Sequence, residues 1–309
     1  MIEVLIRVLP FFALIGVGYL SGRSRFLSEE GVAGITKFVF YFALSAMLFK
    51  FASNLSLGEI YSTPFVLAYL TACTTVYILA FVVAKLRRVS MAEAAVEAQC
   101  AVCGNTGFLG VPLLIALLGP KAAGPELMVL TIDMIVFSSV ITLMITAARE
   151  GRVSLGVLKV LVVGLLKNPM IVSMALGLAW SATGAAVPRP VNDFMGILGG
   201  AATPGALFAI GASLAARSAE RVEVAAWLSF CKLALHPAAV AVAALMIFPV
   251  ERFAAHVMIA AASLPVAGNT YILAQHYGVA PQRVSASILI STAFSVLTVS
   301  GVIAWIVSA

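Results

Sequence analysis

The sequence predicts an all-α integral membrane protein of ten helical spans, and three observations lead there. Hydrophobic residues fill 62% of the 309 positions and charged residues only 10%, against about 45–50% and about 25% in soluble domains. Mean hydropathy is +1.09. Residues 60–84, 98–120, 194–216 and 286–309 contain no Asp, Glu, Lys or Arg, and each is long enough to cross a hydrocarbon core, which takes roughly 20 helical residues. These segments show no sustained period-2 alternation, so they read as helices rather than barrel strands.

In order, the spans fall at 2–21, 31–51, 64–84, 92–118, 125–147, 157–180, 191–216, 222–247, 253–278 and 284–307. The first carries Glu3 and Arg7 and starts at Met1 without a basic leader or a small-residue cleavage site, so it is expected to be a retained span. Polar breaks near Arg23–Gly31 and Ser53–Ser62 frame span 2, and Arg87 and Arg88 precede span 4. Glu93 and Glu97 stand in the first turns of span 4, where carboxylates suit the positive end of a helix. Span 5 carries Asp133 inside it, and the polar stretch Arg149–Ser154 follows. Span 8 carries Lys232, and spans 9 and 10 are separated by a short loop with Pro281 and Arg283. Tyr19, Tyr61, Tyr277 and Trp305 lie near span ends, as interfacial aromatic residues do.

Basic residues set the orientation. Loops after odd-numbered spans hold Arg23, Arg25, Lys85, Arg87, Arg88, Arg149, Arg152, Arg217, Arg221 and Arg283, while loops after even-numbered spans hold Lys50, Lys121, Arg189 and Arg252. This bias places the odd-numbered loops in the cytoplasm and both termini outside. The net charge of +6 is scattered over these loops, so no basic domain is available for nucleic acid.

The chain then divides into residues 1–148 and 157–309, five spans each, joined by a cytoplasmic linker at 149–156. Five is an odd number, so equivalent halves must lie in the membrane with opposite topology. Their chief interruptions correspond: span 4 breaks around Gly104–Pro112 and span 9 around Leu264–Asn269. Interrupted apolar segments at matching places in two halves point to a binding site at the midplane.

Span 4 reads Cys103-Gly-Asn-Thr-Gly-Phe-Leu-Gly-Val-Pro112. Gly104, Gly107, Gly110 and Pro112 weaken helical continuity, and Asn105 and Thr106 add donors and acceptors where the helix opens. Span 9 reads Ser263-Leu-Pro-Val-Ala-Gly-Asn-Thr-Tyr-Ile-Leu-Ala-Gln, with Pro265, Gly268 and Asn269 in the corresponding place. Close helix packing through small residues is the alternative reading of span 4, and a kinked helix with an interhelical Asn269 that of span 9. Two such breaks meeting at the midplane would instead present half-helix N-termini, which suit a carboxylate.

Asp133 and Lys232 are ionisable groups deep within spans. A structural ion pair is one reading, and a role in coupling or substrate binding the other. Lys37, Lys159 and Lys167 lie nearer span ends, where long side chains reach water. His236, His256 and His276 lack metal-ligand spacing, and no metal or cofactor is expected. Cys73, Cys100, Cys103 and Cys231 fall inside apolar runs and read as small packing residues. The chain has no phosphate-binding Gly-xxxx-Gly-Lys loop and no His-Glu-xx-His, so neither ATP-driven pumping by this chain alone nor an intramembrane enzyme is expected.

Both interrupted segments resemble motifs of the auxin efflux carrier family, which includes plant auxin exporters and bacterial malonate-type carriers. Leu166-Lys-Asn-Pro169 and Phe208-Ala-Ile-Gly-Ala-Ser-Leu214 extend the likeness along nearly the whole chain. The resemblance implies ten spans in two inverted halves, with broken spans 4 and 9 crossing, and the family's crossover residues fall on Asn105, Pro112, Pro265 and Asn269. It also implies a secondary carrier of small organic anions in a bacterial inner membrane, with a small carboxylate as partner and a homodimer as its assembly. In that reading Asn105, Thr106, Gly107 and Asn269 contact the substrate. A sodium- or proton-coupled carrier of another solute, titrating at Asp133, is the alternative. The long cytoplasmic loop of the plant exporters has no counterpart between spans 5 and 6.

Overall fold

A computed structural model describes residues 2–55, 61–150, 155–217 and 221–308. Residues 151–154 of the expected linker, Arg152 among them, lie outside the described residues. The described residues are helical throughout, and their only extended pairing is an isolated bridge between Gly104 and Val266.

Among the described residues, seven helices are long and apolar enough to cross a membrane. They are α1 (Ile2–Arg23), α2 (Glu29–Ala52), α3 (Thr63–Leu86), α6 (Pro120–Ala148), α9 (Arg189–Leu214), α10 (Val222–Ile247) and α13 (Pro281–Ser308). The other three expected spans are each divided in two. Span 4 becomes α4 (Met91–Val102) and α5 (Thr106–Leu118), span 6 becomes α7 (Leu155–Lys167) and α8 (Pro169–Ala182), and span 9 becomes α11 (Arg252–Ala262) and α12 (Gly268–His276). The division of span 6 was not expected. It follows from Asn168, whose side chain accepts hydrogen bonds from the N–H groups of Met170 and Ile171, and from Pro169 in the first turn. An Asn cap followed by Pro starts a new helix even within an apolar run.

Helix starts elsewhere follow the same local chemistry. Ser28 and Ser62 cap α2 and α3 through their hydroxyls. Ser90 and Glu93 form a reciprocal capping box on α4, which satisfies two backbone donors at once. The Glu251 carboxylate accepts from the N–H groups of Phe253 and Ala254 at the start of α11.

Packing separates two groups of helices. α1 lies mainly along the second part of α9, and α2 against α8 and the first part of α9. α3 pairs with α4 and α10, while α10 also packs on α11 and α13. The α1–α9 contact depends on glycine: a Cβ at Gly211 would lie 1.9 Å from the Ile15 carbonyl oxygen, and one at Gly18 would lie 2.1 Å from that of Phe208. Small residues of this kind let membrane helices meet backbone to backbone.

Several helices widen locally to a π turn. Two of these turns, Asp133–Phe137 in α6 and Cys231–Leu235 in α10, contain the two mid-span ionisable residues Asp133 and Lys232. Such turns re-aim side chains and are frequent at functional sites.

Candidate substrate site at the helix crossing

The break in the first half and the break in the second half meet. Beyond Val102 the chain is extended at Cys103, and Asn105 donates its N–H to the Pro265 carbonyl at 2.8 Å. Ala267 returns a bond to the Cys103 carbonyl at 3.0 Å. Each break thus satisfies backbone groups freed by the other, as irregular backbone at membrane depth must. Val266 finds its partner on α13, donating to Ser291 Oγ at 3.0 Å.

The sequence-predicted residues distribute around this crossing. Asn105 immediately precedes α5, yet its side chain does not cap that helix. Asn269 stands in the first turn of α12, and its Oδ1 is buried without a hydrogen-bond partner. The Asn105 side chain is therefore unused as a cap, and the Asn269 side-chain carbonyl oxygen is left free. Thr106 is buried. Gly107 faces away from the crossing toward α8, where a Cβ would lie 2.6 Å from Met170 Cε. Pro265 lies in the break itself. Pro112 lies beyond the break, in the first turn of the regular segment Val111–Leu118, where the missing N–H costs little. Gly268 opens α12, and a Cβ there would meet nothing within 4 Å.

Lys232 reaches the crossing from α10. It is fully buried, its ammonium donates to the Ala262 carbonyl at the end of α11, and it lies 3.1 Å from His236 Nδ1. A cation at the C-terminal end of a helix is favourably placed against the helix dipole. Gly104 makes room for it, since a Cβ there would stand 3.2 Å from Nζ. His236 continues the chain of contacts, with Nε2 3.1 Å from Cys73 Sγ on α3.

Asp133 is held separately. Tyr69 on α3 donates its hydroxyl to Asp133 Oδ1 at 2.9 Å, and Asp133 Oδ2 has no partner. Among the described residues the ion pairs are Arg87–Glu97, Arg189–Asp193, Arg283–Glu93 and Arg283–Glu97, so Asp133 and Lys232 do not pair directly. Arg217 supplies a second cation nearby, 4.4 Å over the Tyr271 ring of α12.

Sequence reasoning passed over Tyr69 and Glu126, read Cys73 as a packing residue, and gave His236 no role at the site. Glu126 is fully buried in α6 with both carboxylate oxygens unpartnered. A signal for it existed: it is the one carboxylate in the stretch between Lys121 and Asp133. At the second residue of an expected span, however, nothing in the local sequence marks it as buried. All four cysteines are buried and free, and no cluster of three or more metal-ligating side chains occurs among the described residues.

Two broken helices crossing around buried charges, inside an all-helical apolar fold, are the anatomy of a membrane transporter. The chain belongs to the membrane transport protein family, the auxin efflux carrier family its motifs resemble, matching it over residues 3–303. It is 32% identical over 98% of its length, and 96% of the relative's, to a Rhizobium meliloti (strain 1021) protein named "Putative malonate transporter". It is also 26% identical to the "Uncharacterized transporter YfdV" of Escherichia coli (strain K12), with 94% of each chain covered.

Proposed function

We propose that this transporter is a secondary carrier of small carboxylates, malonate among them, with its substrate site at the crossing of the two breaks. One observation carries the reading: Asn105, immediately before α5, does not cap its helix, and Asn269, in the first turn of α12, keeps a buried side-chain oxygen without a partner. An amide at the start of a half-helix, together with the exposed N–H groups of the first turn, offers donors to an anion. Lys232 adds positive charge at the crossing, and Arg217 adds it over the Tyr271 ring of α12. The name of the Rhizobium relative agrees with a dicarboxylate.

Alternating access follows from the way the helices group. α1, α2, α8 and α9 form one body, and the crossing helices travel with α3, α6, α10 and α13. Rocking one body against the other would expose the crossing to each side in turn. The contact pattern supports two inverted halves of five spans, residues 1–148 and 157–309. Span 1 packs on span 7 as span 6 packs on span 2, and span 5 meets span 9 as span 10 meets span 4. A carrier of this kind sits in the inner membrane of a bacterium.

The test is uptake of labelled malonate into proteoliposomes by wild type and Asn105→Ala. Loss of a hydrogen bond to a charged group costs about 1.5–3 kcal/mol, so uptake at low substrate should fall by roughly ten- to a hundredfold. Unchanged uptake in a folded Asn105→Ala protein would return Asn105 to a packing role.

A further inference from the structure

Glu126 lies beside the crossing, yet no donor reaches it. Its carboxylate abuts Gly110 in the first turns of α5, where a Cβ would lie 2.2 Å from Oε1, and the same spot is 2.6 Å from Leu264 Cδ1 of the opposite break. It therefore lies against the first interrupted segment, at the point of α5 that Leu264 of the second also approaches. It is fully buried, and neither oxygen has a hydrogen-bond partner. An ionised carboxylate in such a place would forgo hydration with nothing to replace it, at a cost of several kcal/mol.

The surrounding charges decide which acid carries the burden. On its own helix Glu126 has Asp133, and from α10 come Lys232 and His236. From α3 come Tyr69, whose hydroxyl is taken by Asp133, and Cys73, whose thiol meets His236. α5 contributes no titratable side chain, and His256 of α11 meets the Trp305 ring edge-on instead. One buried ammonium can balance one carboxylate. Asp133 has a hydroxyl donor for its negative charge and Glu126 has none, so the charge belongs on Asp133 and the proton on Glu126. A metal ion fits poorly, because neither carboxylate oxygen has a polar partner, and no group of three or more metal-ligating side chains occurs among the described residues.

We propose that Glu126 is the proton-carrying residue of the transport cycle: protonated when the crossing is closed over it, and ionised when the alternate state opens it to water. One proton is then taken up on one side and released on the other with each substrate. This rests on the carrier reading above and replaces Asp133 with Glu126 as the titrating group.

Two readouts test it. In infrared spectra of the purified protein, wild type should show the C=O stretch of a protonated buried carboxyl, absent from Glu126→Gln. In proteoliposomes, a gradient of one pH unit should drive about tenfold accumulation of malonate per coupled proton. Glu126→Gln should accumulate it about onefold while keeping malonate counterflow within about threefold of wild type. Absence of the band overturns the proposal, and so does a Glu126→Gln protein that still responds to the gradient. If Glu126→Gln is not recovered folded, wild type alone decides, through protons entering with malonate as read by an internal pH dye. Wild type with counterflow but no proton entry sinks the proton step alone, whereas wild type without counterflow sinks the carrier reading beneath it.

Discussion

At the scale of single residues, Lys232 has two duties that substitutions can separate. Its ammonium closes the last turn of α11 through the Ala262 carbonyl, and it brings a positive charge beside Gly104. Lys232→Met keeps the length of the stem and removes both. A buried carbonyl left without its donor costs about 1–3 kcal/mol, which should lower the thermal midpoint in detergent. If the charge also holds the substrate carboxylate, malonate uptake per folded molecule should drop more than about tenfold. A destabilised protein with full uptake would leave Lys232 as a helix cap only. The sequence made Lys232 and Asp133 visible because a charge in mid-span is rare and expensive. It did not reveal that Tyr69 takes one and His236 the other, since pairing depends on which helices touch and the spans are apolar all round. Glu126 stayed hidden for a related reason: its position in the chain resembles a solvated helix end, and it is the packing of other helices, α5 at Gly110 among them, that buries it.

At the scale of elements, the start of α4 is tied to the start of α13 by buried charges. Glu97 is 1% exposed and contacts both Arg87 and Arg283, and Arg283 also reaches Glu93 at 3.1 Å. The position of these glutamates in the first turns was legible, and Glu93 does complete a capping box. The arginines were counted as loop charges for orientation, because nothing in the local sequence shows that Arg283 turns inward. The arrangement fixes the first half of a broken helix that has only 12 residues and no continuous helix behind it. Glu97→Ala leaves Arg283 buried with one partly exposed partner, and should destabilise the protein by about 3–5 kcal/mol. Glu93→Ala removes a half-exposed contact and a cap, and should cost about 1 kcal/mol. Thermal unfolding of the two variants in the same detergent would separate them, and equal losses would argue that Glu97 is not the anchor. The breaks in spans 4 and 9 were legible from Gly, Asn and Pro together. Their mutual backbone pairing was not, because hydrogen bonds between residues 105 and 265 leave no trace in either segment alone.

At the scale of the whole molecule, the orientation in the membrane rests on the distribution of basic loops, and the buried cysteines make it easy to test. Cys73, Cys100, Cys103 and Cys231 are all enclosed, so wild type should be a silent background for a membrane-impermeant maleimide. Ser24 lies in the exposed turn after α1, and Ala185 in the exposed loop between α8 and α9. The basic-residue bias puts the first inside the cell and the second outside. In intact spheroplasts, Ala185→Cys should label at once, while Ser24→Cys should label only after the membrane is permeabilised. The reverse pattern would invert the molecule without altering its fold, and would exchange the sides on which Glu126 gains and loses its proton. Labelling of both sites in intact spheroplasts would be more damaging. It would place an even number of crossings between them, whereas the two-half arrangement requires five, and the symmetry relating the break at Asn105 to the break at Asn269 would lose its basis.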